Sequence, residues 1–170
     1  MRVLSASFVV LAALALPASA HVTLETQQAV AGSTYKAVLR VPHGCDGSAS
    51  TAIKVKIPDG MIGVKPMPKA GWQLQTQVGK LATPISDGHG GQITEGVVEV
   101  SWSGGKLLDS NYDEFVFRGT LPAKAGEMAW FPVVQECEKG VDRWIEIPAA
   151  GKSSDDYKTP APGVKLMPKP

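Results

Sequence analysis

The sequence predicts an all-β protein built as a single β-sandwich-like domain of immunoglobulin-like or cupredoxin-like architecture. Apolar and polar residues alternate in several short runs, which is the pattern of strands with one buried face. The 18 glycines and 13 prolines are spread between these runs, where turns are expected. No segment combines a helical period with capping residues, so a helix-rich fold is not expected.

The individual strands are predicted from the faces that their apolar side chains share. In STYKAVLRVP one face carries Tyr35, Leu39 and Val41, and in STAIKVKIP one face carries Ile53 and Val55. EGVVEVSWS and DEFVFRGTLP repeat the alternation, and EMAWFPVVQEC and DRWIEIP close the domain. Short alternating strands at regular spacing are typical of sandwiches and barrels.

The chain is predicted to have three parts, a signal peptide over residues 1–20, a β-sandwich domain over 21–150 and a flexible tail over 151–170. Arg2, a following apolar run and the small residues before His21 form the three regions of a secretory signal peptide. Cleavage after Ala20 would make His21 the N-terminal residue. The tail is polar and rich in proline, so it is expected to be extended or disordered.

The charge balance argues against a nucleic-acid partner. The chain has 17 lysines and arginines against 16 acidic residues, and its basic residues form no stripe. Affinity for nucleic acid comes mostly from the neutralisation of phosphates by clustered positive charge.

The apolar run near the N-terminus is shorter than a membrane span, and the processed protein is expected to have no span. We therefore expect an exported, periplasmic protein.

The two cysteines, Cys45 and Cys137, are expected to form a disulfide. An even number of cysteines in an exported chain favours this, because the compartment is oxidising. The alternative is a pair of thiolate metal ligands. Neither cysteine lies in a CxxC motif, and no histidine lies near Cys137 in the sequence.

His21 is the first candidate metal ligand, because an N-terminal histidine offers two nitrogens on one residue. Its α-amine and its imidazole Nδ1 can close a chelate ring on one ion. Nitrogen donors in tetragonal geometry suit Cu(II), which heads the affinity order of the divalent metals. An α-amine has a pKa of about 7.7–8.0, so the metal displaces little proton affinity at neutral pH. The alternative is that this histidine follows the cleavage site by chance.

A two-nitrogen chelate needs further donors, and the sequence offers three candidates. Asp46 and Glu25 could supply a carboxylate, and His43 could supply a second imidazole. Each also has an ordinary structural interpretation, since Asp46 before a glycine is a common turn pair and His43 follows a proline. His89 in DGHGG is expected to be an exposed loop residue.

Trp144, in DRWIEIP, is a candidate for a residue that covers one face of the metal site without binding the ion. A tryptophan in an alternating strand is usually part of the core, with its indole N–H bonded. Trp72, Trp102 and Trp130 are interpreted in that way. Trp144 would differ from them only if the fold placed it beside His21.

The ordered set of motifs resembles the YcnI-like family of exported copper-binding proteins. It consists of HVTLE, YKAVLRVP, KIPDGMIGVKPMPKAGW, VSWSGGKLLDSNYDEFVFRGTLP and FPVVQECEKGVDRWIEIP, and it covers residues 21–148. The resemblance implies a β-sandwich-like fold and Cu(II) bound by an N-terminal histidine in a monohistidine brace. It also implies a nearby tryptophan and a glutamate after a VP pair. The histidine and the tryptophan of the family pattern map onto His21 and Trp144.

The glutamate of the family pattern has no counterpart in this chain. The pattern has one residue between VP and the glutamate, and that place holds Gly44. If the strand continued, Gly44 and Asp46 would share a face, so Asp46 is the first choice for the carboxylate. His43 is the second choice. A disulfide at Cys45 would tether this loop to the strand of Cys137 and to the region of Trp144.

These observations predict a copper-binding protein rather than an enzyme, acting as a chaperone, a buffer or a metallation factor. Its partners would be Cu(II) and another periplasmic copper protein or copper enzyme. One alternative is an oxidative enzyme of the histidine-brace type, for which His43 or His89 would have to be the second imidazole. Another is a metal-free β-sandwich interaction domain. A blue-copper carrier is set aside, because no histidine follows Cys137.

Overall fold

The computed structural model describes residues 21–170, which form twelve β-strands in three sheets. The helical structure in this part of the chain is one 3₁₀ turn, Ser154–Asp156. The strands are β1 Thr23–Leu24, β2 Gln28–Val30, β3 Thr34–Val41, β4 Ser50–Lys56, β5 Ile62–Pro66, β6 Gln73–Ser86, β7 Gln92–Leu107, β8 Asp113–Thr120, β9 Met128–Trp130, β10 Val133–Cys137, β11 Val141–Trp144 and β12 Gly163–Met167.

The two larger sheets pack their apolar faces together as a sandwich. One sheet has the strand order β1-β3-β8-β5, and the other has the order β11-β10-β4-β7-β6. Strands β3 and β8 are antiparallel, with Leu39 opposite Phe115. Their buried face meets Ile53 and Trp102 of the second sheet in one core cluster. The predicted all-β sandwich, and the alternation in β3 and β4 on which it rested, are confirmed.

The third sheet corrects the prediction of a flexible tail over residues 151–170. Strand β12 lies between β2, to which it is parallel, and β9, to which it is antiparallel. Val164 is 0% exposed and Leu166 is 2% exposed, so this segment belongs to the core. The two apolar residues alternate as in any half-buried strand, but the prolines around them obscured so short a pattern. The domain therefore extends to Met167 rather than ending at residue 150.

The predicted signal peptide, residues 1–20, lies outside the described residues. From His21 onward, no helix has the length and apolar character that crossing a membrane would require. His89 is exposed in the connection between β6 and β7, as expected.

Candidate metal centre

His21 lies at one end of the sandwich, where the edge strands of the two larger sheets come together. In β1, Thr23 is opposite Arg40 and Leu24 is opposite Leu39 of β3. Continuing this antiparallel register by two residues places His21 opposite Pro42. Burial follows the same alternation, because Val22 and Leu24 are buried while His21 and Thr23 are half-buried. His21 is therefore positioned by β3, immediately beyond its last residue.

Trp144 of the second sheet packs directly against His21. The centroids of the two rings are 5.3 Å apart and the ring planes are inclined by 59°. Trp144 ends β11, where it is opposite Val133 of β10, and it is 6% exposed. The structure thus brings together the two residues that the sequence motifs paired. The indole shields one side of the imidazole from solvent.

A buried glutamine holds the tryptophan and connects it to the loop after β3. The Gln135 side chain is 1% exposed, and its Oε1 accepts a hydrogen bond from Trp144 Nε1 at 3.1 Å. Its Nε2 donates to the carbonyl oxygen of His43 and to Ser50 Oγ, both at 2.7 Å. Sequence reasoning missed Gln135, although a glutamine on the core face of an alternating strand was the available signal.

His43 follows β3 and is held mainly through its Nδ1. This nitrogen contacts the carbonyl oxygen of Gly44 and lies 3.9 Å from Asp109 Oδ1. Asp109 Oδ1 also accepts the Gly44 N–H at 3.1 Å, which fixes the loop. The other ring nitrogen, Nε2, is buried and has no hydrogen-bond partner in the described chain.

Asp46 does not occupy the position that strand alternation predicted. Strand β3 ends at Val41, and Cys45 and Ser48 exchange two backbone hydrogen bonds of 2.9 Å around a tight turn. Asp46 has a φ of 47° and Gly47 a φ of 81°, as two-residue hairpin turns of this kind require. Aspartate tolerates this left-handed conformation better than most residues. The premise that the strand continues through Asp46 is therefore wrong.

Asp46 and His21 lie in two different depressions of the surface. Asp46 is exposed and shares its depression with Lys106, Glu138 and Lys139. The depression at His21 is lined by Gln27 and by residues of the C-terminal segment, among them Asp155. Within residues 21–170, no group of three or more histidine, cysteine, aspartate and glutamate side chains is arranged to hold a metal ion. Asp155 is a second residue that sequence reasoning missed, since residues 151–170 were interpreted as a tail.

The expected disulfide joins Cys45 to Cys137, with the two Cα atoms 6.0 Å apart. It connects the turn after β3 to the end of β10, two residues beyond Gln135. The turn, the Gln135 hydrogen bonds and Trp144 therefore form one continuous structure. The alternative role of these cysteines as thiolate metal ligands is overturned, because both sulfurs are in the disulfide.

The position of the family glutamate is closed to any side chain in this fold. A Cβ atom on Gly44 would lie 1.9 Å from the carbonyl oxygen of Ser48. A carbon and an oxygen atom that are not bonded to each other cannot approach so closely. The Ser48 oxygen belongs to the backbone of the disulfide-bonded turn, so it cannot move aside as a flexible side chain could. A carboxylate at residue 44 would require a different path of the loop.

The C-terminal segment that lines the depression at His21 is anchored to the residues just after β11. Glu146 accepts hydrogen bonds from the backbone N–H of Thr159 at 2.7 Å and from its hydroxyl at 2.8 Å. These two bonds lower the pKa of the Glu146 carboxyl below its ordinary value. Ala161 N–H donates in turn to the Glu146 carbonyl oxygen at 2.8 Å. The floor of the depression is thus part of the domain.

Comparison with known proteins adds a relative and a solved structure. The chain is 27% identical over 116 residues to the copper-binding protein CutI of Bacillus subtilis strain 168, and the alignment covers 67% of this chain. It spans about half of that relative, 50% of its length. A protein of Nocardia farcinica with an immunoglobulin-like fold is 25% identical, with a TM-score of 0.66 over 88% of this chain and 99% of the other.

The match to a family model covers nearly the whole described chain. The model carries the description of a domain of unknown function, DUF1775, and it matches residues 21–166. The matched segment begins at His21 and ends one residue before the end of strand β12. The chain belongs to this family, the YcnI-like family that its motifs indicated.

Proposed function

We propose that the chain, after removal of residues 1–20, is an exported periplasmic protein that binds Cu(II) and acts in copper trafficking or homeostasis. The observation that carries this proposal is the position of His21, half-buried against Trp144 at the mouth of a depression. The relative named a copper-binding protein supports the choice of metal. The metal would be cargo, passed to another periplasmic copper protein or copper enzyme.

The donor chemistry of His21 fits Cu(II). Its α-amine and imidazole Nδ1 would occupy two neighbouring positions of a tetragonal site. The amine must lose its proton to coordinate. An α-amine ordinarily has a pKa of about 7.7–8.0, so this deprotonation costs little free energy at neutral pH. Trp144 would keep water away from one side of the ion. The open depression on the other side would let a recipient protein approach.

We propose binding and transfer rather than catalysis. The indole of Trp144 covers one side of the His21 ring, and Gln135 holds that indole in place. On the covered side neither substrate nor oxygen could reach the ion, and we propose that the open side is used by a recipient protein. Copper-loaded protein is therefore expected to consume oxygen no faster, in the presence of ascorbate, than copper held by a simple histidine chelate.

The test is a Cu(II) titration of two proteins that differ only at the N-terminus. Both begin at His21, and in the second the α-amine is acetylated. The proposal expects tight one-to-one binding by the first, with nitrogen couplings in the electron paramagnetic resonance (EPR) spectrum. The acetylated protein should bind far more weakly, because its α-amine can no longer coordinate the ion. Equal binding by both proteins would refute the proposal.

A further inference from the structure

In the described part of the chain, His43 has a buried ring nitrogen that makes no hydrogen bond. Within residues 21–170, two buried side-chain nitrogens make no hydrogen bond, His43 Nε2 and Arg40 Nε. Arg40 Nε lies 3.7 Å from Glu114 Oε1, so a carboxylate is at least close to it. His43 Nε2 has no comparable neighbour. An unsatisfied buried polar group typically costs about 1–3 kcal/mol, so a bound partner at this atom would be favourable.

The contacts of His43 assign its proton to Nδ1. The carbonyl oxygen of Gly44 and the carboxylate of Asp109 both lie on the Nδ1 side, and both can only accept. Nε2 therefore carries a free lone pair. This is the arrangement found in metal-ligating histidines, in which one ring nitrogen donates to a carbonyl or carboxylate and the other binds the ion.

His21 and His43 flank the same end of the antiparallel β1–β3 pair, two residues before β1 and two residues after β3. Extended beyond the first residue of β1, the register that pairs Thr23 with Arg40 would bring His21 level with Pro42, one residue before His43. Residues directly opposite one another in an antiparallel pair have Cα atoms about 4.5–5.5 Å apart. Gln135 binds the main chain of His43 and the indole of Trp144, and that indole contacts His21. Both histidines are thus held at the two ends of one buried chain of contacts.

We propose that His43 Nε2 is the third nitrogen ligand of the Cu(II) that His21 binds. The ligand set is then the α-amine of His21, Nδ1 of His21 and Nε2 of His43, with water in a fourth position. One proton leaves the amine on binding. His43 would bind through Nε2 with a proton on Nδ1, the nitrogen that faces the carbonyl oxygen of Gly44. This inference rests on the proposed function, and it replaces the carboxylate ligand predicted from the sequence, Asp46, by an imidazole.

The loop after β3 explains why an imidazole takes this place. Gly44, where the family pattern has glutamate, cannot carry a side chain because Ser48 closes the space at 1.9 Å. The tight turn that closes it also raises Asp46 to an exposed tip. His43 is the residue of this loop whose side chain has a buried nitrogen without a partner. The change removes one negative charge from the ligand set, so the copper complex should be more positive than one with a carboxylate.

The experiment compares proteins that all begin at His21 and carry one substitution each. The variants are His43→Gln, Asp46→Asn, Asp155→Asn and the matched control His89→Gln, whose histidine is exposed in a distant loop. Each is loaded with less than one equivalent of Cu(II). Pulsed EPR then counts the coordinated imidazoles, and competition with a chelator gives the affinity.

We expect His43→Gln to keep the His21 chelate but to show one coordinated imidazole instead of two. Its affinity should fall by at least about tenfold, the effect of losing even an outer-shell partner of a metal ligand. The other three variants should match the unaltered protein. A His43→Gln spectrum with both imidazoles would overturn the inference while leaving the His21 chelate intact. A lower affinity or a changed EPR spectrum in Asp46→Asn or Asp155→Asn would identify a carboxylate ligand and overturn the inference.

The unaltered protein gives a second readout if His43→Gln fails to fold. Two coordinated imidazoles in its pulsed EPR spectrum, unchanged in His89→Gln, would leave His21 and His43 as their source. A single imidazole would overturn the inference directly. Failure of the proposed function is distinguished separately, because it appears as insensitivity of Cu(II) binding to acetylation of the His21 α-amine.

Discussion

The indole of Trp144 lies against the imidazole of His21, with ring centroids 5.3 Å apart, although 123 positions separate the two residues in the chain. The indole N–H is bound by Gln135, so the ring has a fixed orientation. An ion held by His21 would therefore lie within a few ångströms of one particular tryptophan, in a protein that has 4 of them.

Trp144 should report copper binding through its fluorescence. Cu(II) quenches nearby indoles, and the effect falls steeply with distance. We expect Cu(II) to quench the emission of the unaltered protein and Trp144→Phe to remove most of the quenched fraction. Trp130→Phe is the matched control, because Trp130 is half-buried in β9 of the third sheet. A Trp144→Phe protein that is quenched as strongly as the control would contradict the placement of the ion beside His21.

The strands could be predicted because their alternation is local, whereas the site depends on contacts between distant residues. Leu39 and Val41 revealed the inner face of β3 from sequence alone. The path after Val41 could not be predicted in that way. A turn with positive φ at Asp46 replaces the strand, and only the fold shows that Ser48 blocks a side chain at Gly44.

Strand β12 and the Gln135 network were missed for related physical reasons. Val164 and Leu166 form too short an apolar pattern to outweigh the prolines beside them, and their burial depends on β2 and β9. The strand alternation places Gln135 on the core face, but its partners come from three other segments, so the sequence does not show which groups it binds. Pairing of Cys45 with Cys137 was predictable, because two cysteines in an exported chain leave one intramolecular choice.

Gln135 should be essential to the stability of the end of the sandwich that carries the site. Gln135→Leu keeps the side-chain bulk but leaves the His43 carbonyl, Ser50 Oγ and the Trp144 N–H without this partner. We expect the free energy of unfolding to fall by about 2–4 kcal/mol in urea titrations, since unsatisfied buried groups cost about 1–3 kcal/mol each. Gln75→Leu, on an exposed position of β6, should change it by less than about 0.5 kcal/mol. Equal effects of the two variants would show that the network contributes little.

The Cys45–Cys137 disulfide should be a major source of stability. It closes a loop with a sequence separation of 92, for which the chain-entropy model gives about 4–5 kcal/mol. The double variant Cys45→Ser/Cys137→Ser should therefore unfold at a much lower urea concentration than the oxidised protein. Its midpoint should not change on addition of reductant, whereas that of the unaltered protein should fall. A double variant as stable as the oxidised protein would contradict this account.

Strand β12 should be necessary for the fold, in contrast to a disordered tail. Leu166 is 2% exposed between β2 and β9, so Leu166→Ala leaves a cavity and should cost about 2–5 kcal/mol of unfolding free energy. Met167→Ala is the matched control on the neighbouring residue, which is 37% exposed and should lose less than about 1 kcal/mol. Strand β12 also follows the segment that lines the depression at His21. Loosening it should therefore raise the hydrogen-exchange rate of Ala161, whose N–H is bonded to Glu146. Equal, small losses in both variants would mean that the C-terminal segment packs only weakly.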